Sequence, residues 1–163
     1  MKVISGGQTG VDRAALDAAI AVGLDYSGFI PLGRKAEDGF IDLRYTELIE
    51  LSTAAYGART EQNVIEGDAT LIFTAGKPDG GTKLTIKLLK KHCKPSLLIY
   101  LGNAGEDEVV ERVKNWLCKL GPRVLNVAGP RESKSPGIYT QVFDILITVF
   151  QSVACACEKR LRP

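Results

Sequence analysis

The chain has a single histidine, a single tryptophan and four cysteines, none of them in a CxxC pair. One histidine excludes a multi-histidine metal centre, and His92 in "KKHCKP" reads as a polar helix end before Pro95. Cys155 and Cys157 lie two apart on an expected helix and so point to different faces. With Cys93 and Cys118, the cysteines read as small buried hydrophobes of a reducing cytosol, and no metal site is expected. Long apolar runs are also missing. "IYTQVFDILITVFQSVACACEK" is interrupted by Gln141, Asp144, Gln151 and Ser152, and its uncharged part falls short of the ~20 residues that span a bilayer. Lys2 is followed by turn-forming glycines rather than an apolar signal segment, so a cytoplasmic location is expected. A net charge of +2 gives no excess of one sign, which speaks against a nucleic-acid or membrane partner. The terminal "EKRLRP" reads as a solvated helix end. There is no serine elbow and no histidine beside a nucleophile, so no catalytic constellation is evident.

What remains is glycine, in clusters, between apolar runs. "KVIS" (2–5), "SGFIP" (27–31), "ATLIFT" (69–74), "SLLIYL" (96–101) and "RVLNVA" (123–128) read as short strands. Several are apolar nearly throughout, which indicates burial on both faces, as in a parallel sheet. Helical patterns separate them over about 11–22, 82–92 and 107–120, and the stretch 32–68 is expected to hold two helices, near 44–56 and 61–67. The alternation predicts an α/β fold. It is Rossmann-like and doubly wound, with a mostly parallel sheet of about five strands between helices, as one domain over residues 1–163.

In such a sheet, ligands bind outside the carboxyl ends of the strands. Four loops leave that edge: "GGQTG" (6–10), "LGRKAEDG" (32–39), "AGKPDGG" (75–81) and "GPRESKSPG" (129–137). Gly6, Gly7 and Gly10 allow close backbone approach, and the following helix would add free amides, which together suit an anion. Thr9 with Asp12 reads as a capping box, and Gln8 offers a side-chain amide. A bare strand-to-helix turn is the alternative, since neither the dinucleotide nor the P-loop pattern is met. "PDGGTKL" (78–84) repeats the arrangement with Gly80, Gly81 and a candidate N-cap, Thr82. Two such turns on one edge favour a ligand site. In "YGARTEQNV", Thr60 could cap a helix that leaves Arg59 near the ligand or simply at the surface. Arg131, Ser133 and Ser135 are further candidates in a long loop. Glu37 and Asp38 could bind a ribose or base edge, or only solvate a turn.

Taken together, "ISGGQTGVDRAALDAA", "GRKAEDG", "ARTEQNV", "ATLIFT…GGTKLT" and "LNVAGPRESKSPGIY" resemble the molybdenum-cofactor carrier family, in order, from residue 4 to about 139. That family is similar to a wider Rossmann-like group that includes the lysine-decarboxylase-like phosphoribohydrolases and the DNA-processing protein A fold. The resemblance implies a homo-oligomer and a pocket for molybdenum cofactor (molybdopterin) or a related nucleotide. It places Gly6, Gly7, Gln8, Thr9, Gly10, Arg34, Lys35, Gly80, Gly81 and Thr82 at the ligand, beside Asp12, Arg59 and Arg131 from the residues themselves. The phosphoribohydrolases carry a catalytic glutamate after their glycine-threonine turn. Here Lys83, Leu84 and Thr85 follow Thr82, so a non-catalytic carrier of a small anionic ligand is expected. The alternatives are a nucleotide N-glycosidase that uses Asp12, Glu37 or Asp79, and a nucleotide-sensing domain. The apolar helix 138–159, with Phe143, Leu146, Phe150 and Val153 at spacings of three and four, is the expected dimer or tetramer contact.

Overall fold

The computed structural model describes residues 1–102 and 104–160, with side-chain environments up to residue 154. In chain order it contains β1 (Lys2–Ile4), α1 (Val11–Val22), β2 (Tyr26–Ile30), a single 3-10 turn (Leu32–Arg34), β3 (Lys35–Ala36) and β4 (Gly39–Phe40). There follow β5 (Leu48–Glu50), α2 (Tyr56–Glu66), β6 (Ala69–Thr74), α3 (Gly80–Lys91), β7 (Ser96–Tyr100), α4 (Glu106–Leu120), β8 (Val124–Ala128) and α5 (Ile138–Arg160). Six strands pair in the order β5-β2-β1-β8-β6-β7, every pairing parallel, while β3 and β4 form a separate antiparallel hairpin. The chain runs outward from β1 to β5, returns through α2 to β6 beyond the centre, and closes by inserting β8 between β1 and β6. That reversal is the topological switch point at which such sheets bind ligands.

Side-chain alternation decides which helix lies on which face. In β6, Leu71 and Phe73 join α1, α4 and α5 in the larger core, whereas Ile72 points the other way, to Val64 of α2 and Leu88 and Leu89 of α3. Continuous apolarity in the sequence therefore marks a strand covered on both sides. Ala14, Ala15, Ala18 and Ala19 of α1 are fully buried and present only methyl groups, so α5 packs closely along α1.

The expected helix near 44–56 is instead β5 followed by a turn. Leu48 is buried against β2 while Ile49 and Glu50 face out, and Leu51 N–H donates to the Ile30 carbonyl at 2.9 Å. Helical propensity in "TELIEL" gives way to an open sheet edge that supplies backbone partners. The second helix starts earlier than expected, at Tyr56, so Thr60 lies inside it and its hydroxyl bonds back to the Tyr56 carbonyl. The three expected side-chain caps are absent: α1 is capped by Gly10 and α3 by Asp79, neither through a side chain.

Two further expectations change. Cys93 and Cys118 are exposed, not buried, while the surroundings of Cys155 and Cys157, like the "EKRLRP" end, lie outside the described residues. The apolar faces of α5 are covered largely within the chain, since Val142, Ile145, Leu146, Val149 and Phe150 pack into the core with α1 and α4. Phe143, Ile147 and Val153 remain only partly buried. Among the described residues, no helix is long and apolar enough to cross a membrane. Because Phe150 is fully buried, Phe150→Ala should lower unfolding stability by about 3–5 kcal/mol in urea titration.

Candidate functional site

A small cleft opens at the carboxyl edge of the sheet. Its volume is about 40 Å³, and its walls include Gly6 after β1, Asp12 of α1, Arg59 and Asn63 of α2, Gly81 of α3 and Asn126 of β8. Both glycine turns thus reach the same space. The turn 6–10 is shaped by close approaches. A Cβ at residue 6 would collide with the Arg59 guanidinium, and one at residue 10 would stand 2.6 Å from the Pro130 carbonyl. Gly10 also has a positive φ of 75°, which glycine adopts without strain.

The cleft is organised by an ion pair. Arg59 Nη1 donates to Asp12 Oδ2 at 2.8 Å, with side-chain exposures of only 14% and 6%. The same carboxylate oxygen accepts the Gln8 backbone N–H at 3.3 Å, so Asp12 holds the glycine turn before its helix as well as the arginine. Arg59 Nε, in contrast, is buried and has no acceptor. Beneath the cleft Asn126 Nδ2 donates to Thr70 Oγ1 at 3.1 Å, and Asn63 is fixed by two 2.9 Å bonds to the Phe29 backbone. A wider groove of about 280 Å³ lies beside the cleft along Thr74–Lys77, Asp79, Pro130, Lys134 and Ser135.

On the other flank of the turn, Glu37 ties three loops together. Its carboxylate accepts from the hydroxyls of Thr9 and Ser133 and from the Ser133 amide at 3.2 Å, with Arg131 Nη1 at 3.7 Å. Partial burial opposes ionisation, but the Ser133 and Thr9 bonds and the Arg131 charge outweigh it and hold Glu37 below its usual value. Asp38 is likewise lowered, chiefly by its bond from Arg13, which grips both carboxylate oxygens at 2.5 and 2.8 Å. Further out, Asp17 accepts the hydroxyls of Tyr45 (2.9 Å) and Tyr139 (2.7 Å) and also pairs with Arg44. Burial first, then the bond to Asp17, pushes Tyr45 up to about 12.

Of the residues named from sequence, Gly6, Asp12, Arg59, Thr60 and Gly81 share the cleft. Gly7 packs on Ile41 and Ile30, and Gln8 is buried with its Oε1 accepting the amides of Thr9 and Glu37. Thr9, Arg131 and Ser133 meet at Glu37, whereas Ser135 lines the groove. Gly80 is the exposed first residue of α3, and Thr82 is buried within that helix. Arg34 departs from the expectation. Its guanidinium donates to the carbonyls of Ile41, Asp42 and Tyr45 and staples a loop, while the neighbouring Lys35 stays exposed, and neither lines the cleft. Asn63, Thr85 and Asn126 were missed. A polar Asn126 inside the apolar run "VLNVA" was the available signal.

A parallel, doubly wound sheet with a cleft at its switch point defines a Rossmann-like domain. The profile of the circularly permutated YpsA SLOG family matches residues 3–150, and the chain belongs to that family. It is also similar to a solved structure from Syntrophus aciditrophicus SB named "Putative molybdenum carrier protein". The two share 42% identity and a TM-score of 0.88, over 91% of this chain and 93% of that one. No curated protein matches the chain.

Two outcomes follow from these interactions. Asp12→Ala, which leaves the Arg59 guanidinium buried and unpaired, should destabilise the fold by about 3–5 kcal/mol in chemical denaturation. Because the folded value of Glu37 is depressed, its stabilising contribution is complete above the ordinary 4.5 and is lost as pH falls through the lowered folded value. The protection of amides in 35–40, relative to their intrinsic exchange rates, should therefore fall as pH drops below 4.5 in wild type, and in Glu37→Gln that step should shrink to the part that Asp38 contributes.

Proposed function

We propose that the protein binds and carries a phosphorylated small molecule, with its phosphate in the cleft between the two glycine turns. The observation that carries this reading is Arg59. It is a largely buried cation at the cleft wall, it lies on the bare Gly6 backbone, and its Nε donor is unused. A 40 Å³ cleft admits a phosphate but not a heterocycle, whose body would extend into the 280 Å³ groove past Lys77 and Lys134. The molybdenum cofactor (molybdopterin) fits this division, and the name of the Syntrophus aciditrophicus relative supports it. The cofactor would bring its metal on its own sulfur atoms, while Arg59, Gly6 and Gly81 hold the phosphate and Lys77 and Lys134 flank the body. A related nucleotide offers the same phosphate.

A carrier is favoured over a hydrolase because α3 sends no carboxylate into the cleft: Thr85 lines it and bonds to the Gly81 carbonyl at 3.0 Å. Asp12 gives the hydrolase reading its one foothold, as the carboxylate at the cleft wall. The partly buried Phe143, Ile147 and Val153 are what α5 retains for a second copy in a homo-oligomer.

Protein purified from a cofactor-producing host should release a pterin or nucleotide on extraction, identified by mass spectrometry. Arg59→Ala should weaken rebinding about tenfold or more, the loss of a charge-assisted hydrogen bond. Absence of any copurified ligand, together with no binding at roughly micromolar concentration, would sink the carrier reading. Release of free base from nucleoside monophosphates, abolished by Asp12→Asn, would establish the hydrolase in its place.

A further inference from the structure

The turn 6–10 has a second flank outside the cleft. There the Thr9 hydroxyl, the Ser133 amide and the Ser133 hydroxyl converge on one carboxylate, with the Arg131 guanidinium beside it. Two hydroxyls, an amide and a guanidinium around two oxygens form an anion-binding donor set. Its occupant, Glu37, is supplied by the chain itself from 28 residues away. Directly beneath, Gln8 is 5% exposed and uses Oε1 to accept from the amides of Thr9 and Glu37. The Nε2 of that same carboxamide is buried without an acceptor. A buried donor left open next to a full set of donors points to an acceptor richer in oxygens than a carboxylate.

The segment that delivers Glu37 is attached lightly. β3 and β4 contribute two residues each, and Phe40 is 61% exposed. Besides the Gln8 bond to its backbone, the tip is fastened by Glu37 itself and by Asp38 to Arg13. Ala36 anchors the base of the hairpin on the cluster of Leu16, Ile30 and Tyr45, but from Glu37 to Phe40 the fastenings are polar bonds, so this tip can lift while the sheet stays fixed.

We infer that Thr9, Ser133 and Arg131 form a second phosphate subsite, which Glu37 fills as a resident stand-in until a ligand phosphate displaces it and releases the hairpin 35–40. The ligand class then becomes small molecules that carry two separate phosphate groups, one on each flank of the turn 6–10, which favours a bisphosphorylated nucleotide over molybdopterin with its single phosphate. This deepens the binding reading above and rests on it only for the first of the two phosphates.

Inorganic phosphate is the probe, titrated calorimetrically at neutral pH. Glu37→Ala should bind it about tenfold or more tightly than wild type at this subsite. The gain should be lost in Glu37→Ala/Ser133→Ala and kept in Glu37→Ala/Arg59→Ala. Retention without Arg59 supports the second subsite even if the cleft proves to bind nothing. A folded Glu37→Ala that shows no gain, or a gain that vanishes with Arg59, overturns it. Should Glu37→Ala not fold, wild type decides: phosphate must shift the Ser133 amide resonance and raise hydrogen exchange in 35–40, and unchanged exchange rejects the inference.

Discussion

The Arg59–Asp12 ion pair is the contact on which the ligand edge depends. It joins the first turns of α1 and α2, which flank the sheet on opposite faces, across a glycine whose missing side chain makes room for the guanidinium. A pair this buried is held in place by geometry more than by net energy, because desolvation offsets much of the attraction. Its value here is positional. With Asp12 already at the N-terminal end of α1, the dipole of that helix is answered from within, and the proposed phosphate would meet the arginine rather than the helix alone.

Around that pair the loops are fastened by carboxylates. Glu37 holds the turn 6–10, the hairpin and the loop 129–137 together, and Asp17 holds α1, the loop before β5 and the start of α5 through two tyrosine hydroxyls. The rigid part and the movable part can be told apart by what fastens them. Tyr45 is almost fully buried and locks its loop, whereas at the hairpin tip Asp38, Gly39 and Phe40 are exposed. A binding site made from such parts can keep a fixed floor and a mobile rim.

Legibility in the sequence followed the range of the forces involved. The apolar runs of β6 and β8 and the amphipathic α3 and α4 are set by local pattern, so their places could be read directly. The glycine turns were legible as turns, because few other residues take a positive φ or allow such close approach. Their caps were not, since Thr9 serves Glu37 and Glu132 rather than its own helix. Arg34 looked like a ligand residue and is a loop staple, because the carbonyls it serves lie 7–11 positions further along the chain. Asn126 escaped notice because one asparagine in a strand has several structural explanations.

By itself, the sequence determined a parallel α/β sheet with two glycine turns at one edge, because periodicity and glycine content act within a few residues. It also determined the family, through motifs spread along most of the chain. Only the tertiary structure decided that β5, not a helix, closes the sheet, since an edge strand forms where a neighbour offers hydrogen bonds. It likewise decided that Arg59 faces Asp12 from 47 residues away and that Glu37 occupies the donors of Thr9 and Ser133. Those pairings depend on where the backbone brings distant charges together, which no local pattern records.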